Sequence, residues 1–105
     1  MVKVFLSQPM AGRTKREIKA ERRGMLVKAS YFIGQEVEEV GSYFEEAPQD
    51  ITASGDSEAL WYLGKSLQKM AEADAVVFIP GWEGARGCHI EHMAARYYGK
   101  DIYEF

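Results

Sequence analysis

Apolar and polar positions change their period several times along the chain. Val2-Lys3-Val4-Phe5-Leu6 is a short run rich in β-branched and aromatic residues, closed by Ser7-Gln8-Pro9, and it predicts a buried strand. Pro9 and Gly12 mark a turn. From Thr14 to about Ile33 the spacing is helical, with Ile18, Met25, Ala29 and Phe32 on one face among lysines and arginines. Thr14 and Glu17 have the form of a capping box, and Gly34 suits the residue after the last turn. Glu36 to Val40 predicts a second, more exposed strand, and Gly41 to Gly55 reads as a loop. A second helix opens at Ser57 and runs to about Ala73, with Leu60, Leu63, Leu67, Met70 and Ala71 on its stripe. Ala75-Val76-Val77-Phe78-Ile79-Pro80 is the most apolar stretch and predicts the central strand. After the glycine-rich loop Gly81 to Gly87, Ile90, Met93, Ala94 and Tyr97 predict a helix from Cys88 to Tyr98. Asp101 to Phe105 predicts a last strand.

Strands alternating with helices of this length predict one α/β domain over residues 1–105. The expected form is a small doubly wound, four-stranded parallel sheet in the order 2-1-3-4, with helices on both faces. Such sheets bind ligands at the carboxyl ends of their strands, where the order reverses. That rule singles out the loops after the first and third strands. They carry Gln8, Pro9, Met10, Gly12 and Arg13 on one side, and Gly81, Trp82, Arg86 and Gly87 on the other.

Composition narrows the function class. At 105 residues the chain is long enough to bury a core without staples. Its net charge of −3 argues against a nucleic-acid coat, and no apolar run approaches a membrane span. The opening segment is too short and too soon polar for a secretory leader. One cysteine, Cys88, cannot form an internal disulfide, so a reducing cytoplasm is the expected compartment. Charge is segregated. Residues 1–28 hold eight basic and two acidic side chains, whereas residues 36–60 hold eight acidic and none basic. This suits either neighbouring solvated surfaces or a basic patch beside an anionic ligand.

Glu91 stands out chemically. It lies in the early turns of the last helix, one position past Ile90 on the expected buried face, where the positive helix end should keep a carboxylate ionised. In a crevice it can act as a nucleophile or stabilise a cationic sugar; on the surface it is an ordinary glutamate near a helix N-terminus. Cys88, His89, Glu91 and His92 are close in sequence but lack the H-E-x-x-H order and a second ligand cluster, so no metal is expected. Cys88 reads as a small buried side chain. The first loop carries no Walker or G-x-G-x-x-G pattern, yet Arg13 and nearby amides precede a helix start that suits an anion. Trp82 can stack on a base or cover the core.

The run Val4 to Arg13 (VFLSQPMAGR), together with Ala73 to Val77, Gly81-Trp82 and Arg86 to Ala94 (RGCHIEHMA), resembles nucleoside 2-deoxyribosyltransferase-like proteins, in particular their short, phage- and bacterium-borne branch. The likeness extends over essentially the whole chain and implies a Rossmann-like fold. It also implies that Glu91 is the nucleophile, attacking the anomeric carbon to form a covalent glycosyl intermediate. Gln8, Met10, Gly12 and Arg13 would then hold the sugar or its 5′-phosphate, with Trp82 and Arg86 flanking the base. Two positions depart from the family. Ser66 stands where characterised members carry an aspartate, and Phe5 and Leu6 occupy the region of a first-strand tyrosine. Serine hydrogen-bonds but is no general acid near neutral pH.

The expected function is therefore cleavage or transfer of an N-glycosidic bond on a nucleoside or nucleoside 5′-monophosphate, with no cofactor. Ser66 keeps open the alternative of a module that binds a nucleotide without cleaving it, and NAD cleavage is a further alternative. The expected partner is a small nucleoside or nucleotide, not nucleic acid or membrane. Tyr97, Tyr98, Tyr103, Phe105, Trp61 and Tyr62 exceed what one thin core needs, and they predict a homodimer or higher homo-oligomer.

Overall fold

The computed structural model describes residues 1–41, 46–48 and 55–105. Its elements are strand β1 (Val2–Ser7), helix α1 (Lys15–Ile33), strand β2 (Val37–Glu39), helix α2 (Gly55–Met70), strand β3 (Ala75–Phe78), helix α3 (Arg86–Tyr97) and strand β4 (Asp101–Glu104). A single 3₁₀ turn, Trp82–Gly84, lies between β3 and α3. The sheet is wholly parallel in the order β2-β1-β3-β4, as the alternation of periods predicts. No helix among the described residues is long and apolar enough to cross a membrane.

The local signals behave as their chemistry demands. The Thr14 hydroxyl accepts from the Glu17 amide at 3.2 Å, and the Glu17 carboxylate accepts from the Thr14 amide at 3.1 Å. Those Thr14 hydrogen bonds hold the exposed Glu17 carboxyl below the usual carboxylate range. At the far end of α1, Gly34 takes φ +79°, the left-handed turn that a residue without Cβ adopts freely, and its amide closes onto Ser30.

Each face of the sheet builds its own core. On one face α1 lays Met25 and Ala29 against Val4, Leu6, Ala75, Val77 and Ile79. On the other, α2 and α3 bring Met70 and Ala95 against Phe5, Val76 and Phe78. β3, buried at every position, belongs to both. Tyr103 and Phe105, expected to be surplus aromatics, pack against the first core, while Tyr97 and Tyr98 stand exposed.

Three readings are corrected. α3 begins at Arg86 rather than Cys88, because the 3₁₀ turn inside the glycine-rich loop brings the chain back onto the sheet early. Its buried side is Cys88, Glu91 and Ala95, not the Ile90 stripe; Ile90 borders the cavity at the carboxyl edge, and Met93 and Tyr97 face outward. Both sets have helical spacing, and contact with the sheet selected the less apolar one. On α2, Leu60 is exposed and Leu63 and Leu67 are half-buried, so Met70 alone is fully covered. Most of the loop expected from Gly41 to Gly55 lies outside the described residues.

Candidate functional site

The loops after β1 and β3 meet at the carboxyl end of the sheet. A Cβ placed on Gly81, which has φ +95°, would sit 3.6 Å from Pro9. Beside this junction opens a cavity of about 910 Å³, walled by β1, the first loop, α1, α2 and α3. Its floor carries Phe5 and Leu6, its α2 wall Leu63 and Ser66, and its α3 wall Gly87, Cys88 and Glu91. Lys15, Arg22, Lys69 and Arg86 face Glu46, Asp56 and Glu91 around it. A mixed, mostly apolar concavity of this size suits a small polar molecule with a flat hydrophobic part.

Glu91 is the chemical centre. Only 6% of it is exposed, and its Oε1 accepts a 2.7 Å hydrogen bond from the Ser7 hydroxyl at the end of β1. Ser66 on α2 lies near the same carboxylate and favours its charged form. Burial pushes the Glu91 carboxyl up to about 7. The two serines and the Arg22 charge pull the other way without restoring the ordinary value. The expectation of a permanently ionised carboxylate is therefore corrected: loss of water outweighs the helix end. A group poised near neutrality can hold or release a proton, or attack as a carboxylate once ionised. Burial likewise pushes the Cys88 thiol up, which makes it a poor nucleophile.

A second buried charge lies across the cavity. Arg22 donates from Nε to Glu39 Oε1 at 2.8 Å and from Nη1 to Gln8 Oε1 at 2.9 Å, while its Nη2 lies 2.7 Å from the same Glu39 oxygen. Gln8 in turn donates to the Ile18 carbonyl at 3.2 Å and to Glu21 at 2.8 Å, and Arg13 pairs with Glu21. Among the described residues, every buried side-chain nitrogen and oxygen has a partner.

Of the residues picked out in the sequence, Gln8, Pro9, Met10, Ser66, Arg86, Gly87 and Glu91 line one cavity. Gly12, Arg13, Gly81 and Trp82 are not among its lining residues. Arg13 is engaged by Glu21, and Trp82 is committed to the core. The indole packs against Phe78 with ring centres 5.2 Å apart and stacks on His92 at 4.3 Å. His92 Nε2 lies 2.9 Å from Glu104, whereas Cys88 and Glu91 turn toward Ser7, so the four residues do not converge. Among the described residues no group of three His, Cys, Asp or Glu side chains is placed to hold a metal.

Sequence reasoning passed over Ser7 and Arg22. Each had a signal: Ser7 is a polar residue ending an apolar strand on the ligand edge, and Arg22 shares the α1 stripe with Ile18, Met25 and Ala29.

The chain belongs to the family described as Domain of unknown function (DUF4406), which matches residues 2–104. No curated protein and no solved structure matches it.

Proposed function

We propose that the protein cleaves or transfers the N-glycosidic bond of a nucleoside or nucleoside 5′-monophosphate, with Glu91 as nucleophile. The observation that carries this reading is a buried carboxylate, held by the Ser7 hydroxyl with Ser66 nearby, in the wall of a cavity large enough for a nucleotide at the carboxyl edge of a doubly wound sheet. The resemblance of residues 4–13 and 73–94 to nucleoside 2-deoxyribosyltransferase-like proteins supports it.

In the proposed reaction a Glu91 oxygen bonds to the anomeric carbon as the carbon–nitrogen bond breaks. The bonding pair leaves with the base, which takes up a proton from water. Water or a second base then attacks the same carbon and frees the carboxylate. Gln8 is held by Arg22, Glu21 and the Ile18 carbonyl, which gives the first loop a fixed edge against the sugar. Lys15 and Arg86 on the cavity wall suit a phosphate. The reaction calls on no cofactor.

The decisive experiment is chromatographic detection of free base from panels of nucleosides, 5′-monophosphates and NAD, run beside Glu91→Ala. Base released by the wild type and lost in the variant is the expected result; release that persists unchanged in the variant overturns the mechanism. A second reading rests on Ser66, which offers a hydrogen bond but no general acid. On that reading the site binds a nucleotide without turnover, so ligands raise the melting temperature and no base appears. The exposed Met93, Tyr97 and Tyr98 at the end of α3 support association of two or more copies. Light scattering at micromolar concentration tests this, and a monomer would refute it. A single cysteine without a disulfide fits a cytoplasmic setting.

A further inference from the structure

We propose that Ser7 is a positioning residue that aims the Glu91 carboxylate into the cavity; the inference rests on the glycosidic reading of that site. Ser7 is 1% exposed and does not line the cavity, so it reaches a ligand only through Glu91. Its backbone is clamped: Ser7 pairs with Phe78 in the β1–β3 register, and its carbonyl accepts from the Ile79 amide at 3.0 Å. The hydroxyl is thereby delivered by the hydrogen-bonded sheet to Glu91 Oε1 at 2.7 Å. A buried hydroxyl without a partner is costly, so this contact has no competitor in water.

A hydroxyl has one proton to give. Given to Oε1, that proton stabilises the charged carboxylate and fixes one of its oxygens against the strand. The remaining lone pairs are left for an electrophile. Among the described residues, the groups that face Glu91 are Ser7 from β1, Ser66 from α2, Cys88 from its own helix and Arg22 from α1. Ser66 lines the cavity and is open to a ligand, whereas Arg22 is anchored on Glu39 and Gln8. Ser7, by contrast, does not line the cavity, and its hydroxyl meets the Glu91 carboxylate and the Cys88 thiol.

The test is the titration of Glu91 in protein labelled with ¹³C at the glutamate side-chain carboxyl, its signal assigned by its loss in Glu91→Gln. Ser7→Ala is expected to move the midpoint upward by about one pH unit, the worth of one hydrogen bond to a charge. Ser7→Cys, with a weaker donor of similar size, is expected to move it less. The acid limb of base release moves upward by the same amount, with KM unchanged. An unmoved midpoint in either folded variant overturns the proposal, as does a raised KM with an unmoved pH profile. Should Ser7→Ala not fold, Ser7→Cys carries the test. A wild-type protein that releases no base sinks the glycosidic reading, while the titration, which needs no substrate, still decides the role of Ser7.

Discussion

Arg22 and Glu91 are both 6% exposed and both line the cavity, yet the fold treats them in opposite ways. Arg22, on the α1 side of the sheet, spends its donors on Glu39 and Gln8. Glu91, on the α3 side, has two neutral hydroxyls beside it, and Arg22 helps it only as a charge that the hydrogen-bond geometry gives to others. A buried charge with a full complement of partners is a fixed part of the architecture. One that is only partly compensated responds to its surroundings, and burial has pushed the Glu91 carboxyl up to about 7. The difference separates a residue that holds the first loop in place from one whose protonation changes near neutral pH.

Breaking the contrast at its reactive end should give the largest effect. Under the proposed reaction, Glu91→Ala lowers base release by about 10³-fold or more, measured as kcat/KM. The wild-type rate climbs as pH rises through about 7, where Glu91 loses its proton. A pH–rate profile flat from pH 5.5 to 8.5 would remove the carboxylate from the mechanism. At the architectural end, Arg22→Leu removes the buried guanidinium that binds Glu39 and the Gln8 carbonyl oxygen. That should cost about 3 kcal/mol in urea unfolding.

Glu91→Gln sharpens the comparison by removing charge while keeping shape. The folded carboxyl titrates well above the ordinary 4.5, so the folded state holds its proton more tightly than the unfolded chain. The stability contributed by this group is complete below about pH 4.5 and is lost as pH rises through about 7. The glutamine variant should therefore be more stable than the wild type at pH 8.5, by on the order of 2 kcal/mol, and the two should converge in acid. Equal melting temperatures at both pH values would contradict the buried, partly compensated carboxylate. A smaller effect belongs to the cap: Thr14→Ala should cost about 1 kcal/mol and leave the Glu91 titration untouched. The smallest is Asp56→Asn, which breaks an exposed 3.3 Å pair with Arg86 at the cavity wall and should leave the melting temperature unchanged.

Much of the fold was legible in the pattern of residues. β1 and β3 are short apolar runs, and the Thr14–Glu17 box and Gly34 bracket α1 at the expected residues. The crevice rule, which depends on topology alone, points to the loops that carry Gln8, Met10 and Arg86, and all three line the cavity. Trp82 was legible only as a large side chain on the right loop. Whether it faced a ligand or the core depended on Phe78 and His92, and their approach is a tertiary event.

What the sequence by itself determined is the alternation of strands and helices, their caps, the 2-1-3-4 order of the sheet and the edge at which the cavity opens. These follow from local periodicity, local hydrogen bonding and the handedness of parallel connections. Tertiary structure alone decided the rotation of α3. Cys88, Glu91 and Ala95 and the more apolar Ile90, Met93 and Tyr97 are rival faces of one helix, and the sheet took the first. That choice brings Glu91 to Ser7, 84 positions away in the chain, and replaces its water with two hydroxyls and apolar walls. Helical spacing fixes which side chains share a face, whereas the face that is buried depends on the surface that meets it.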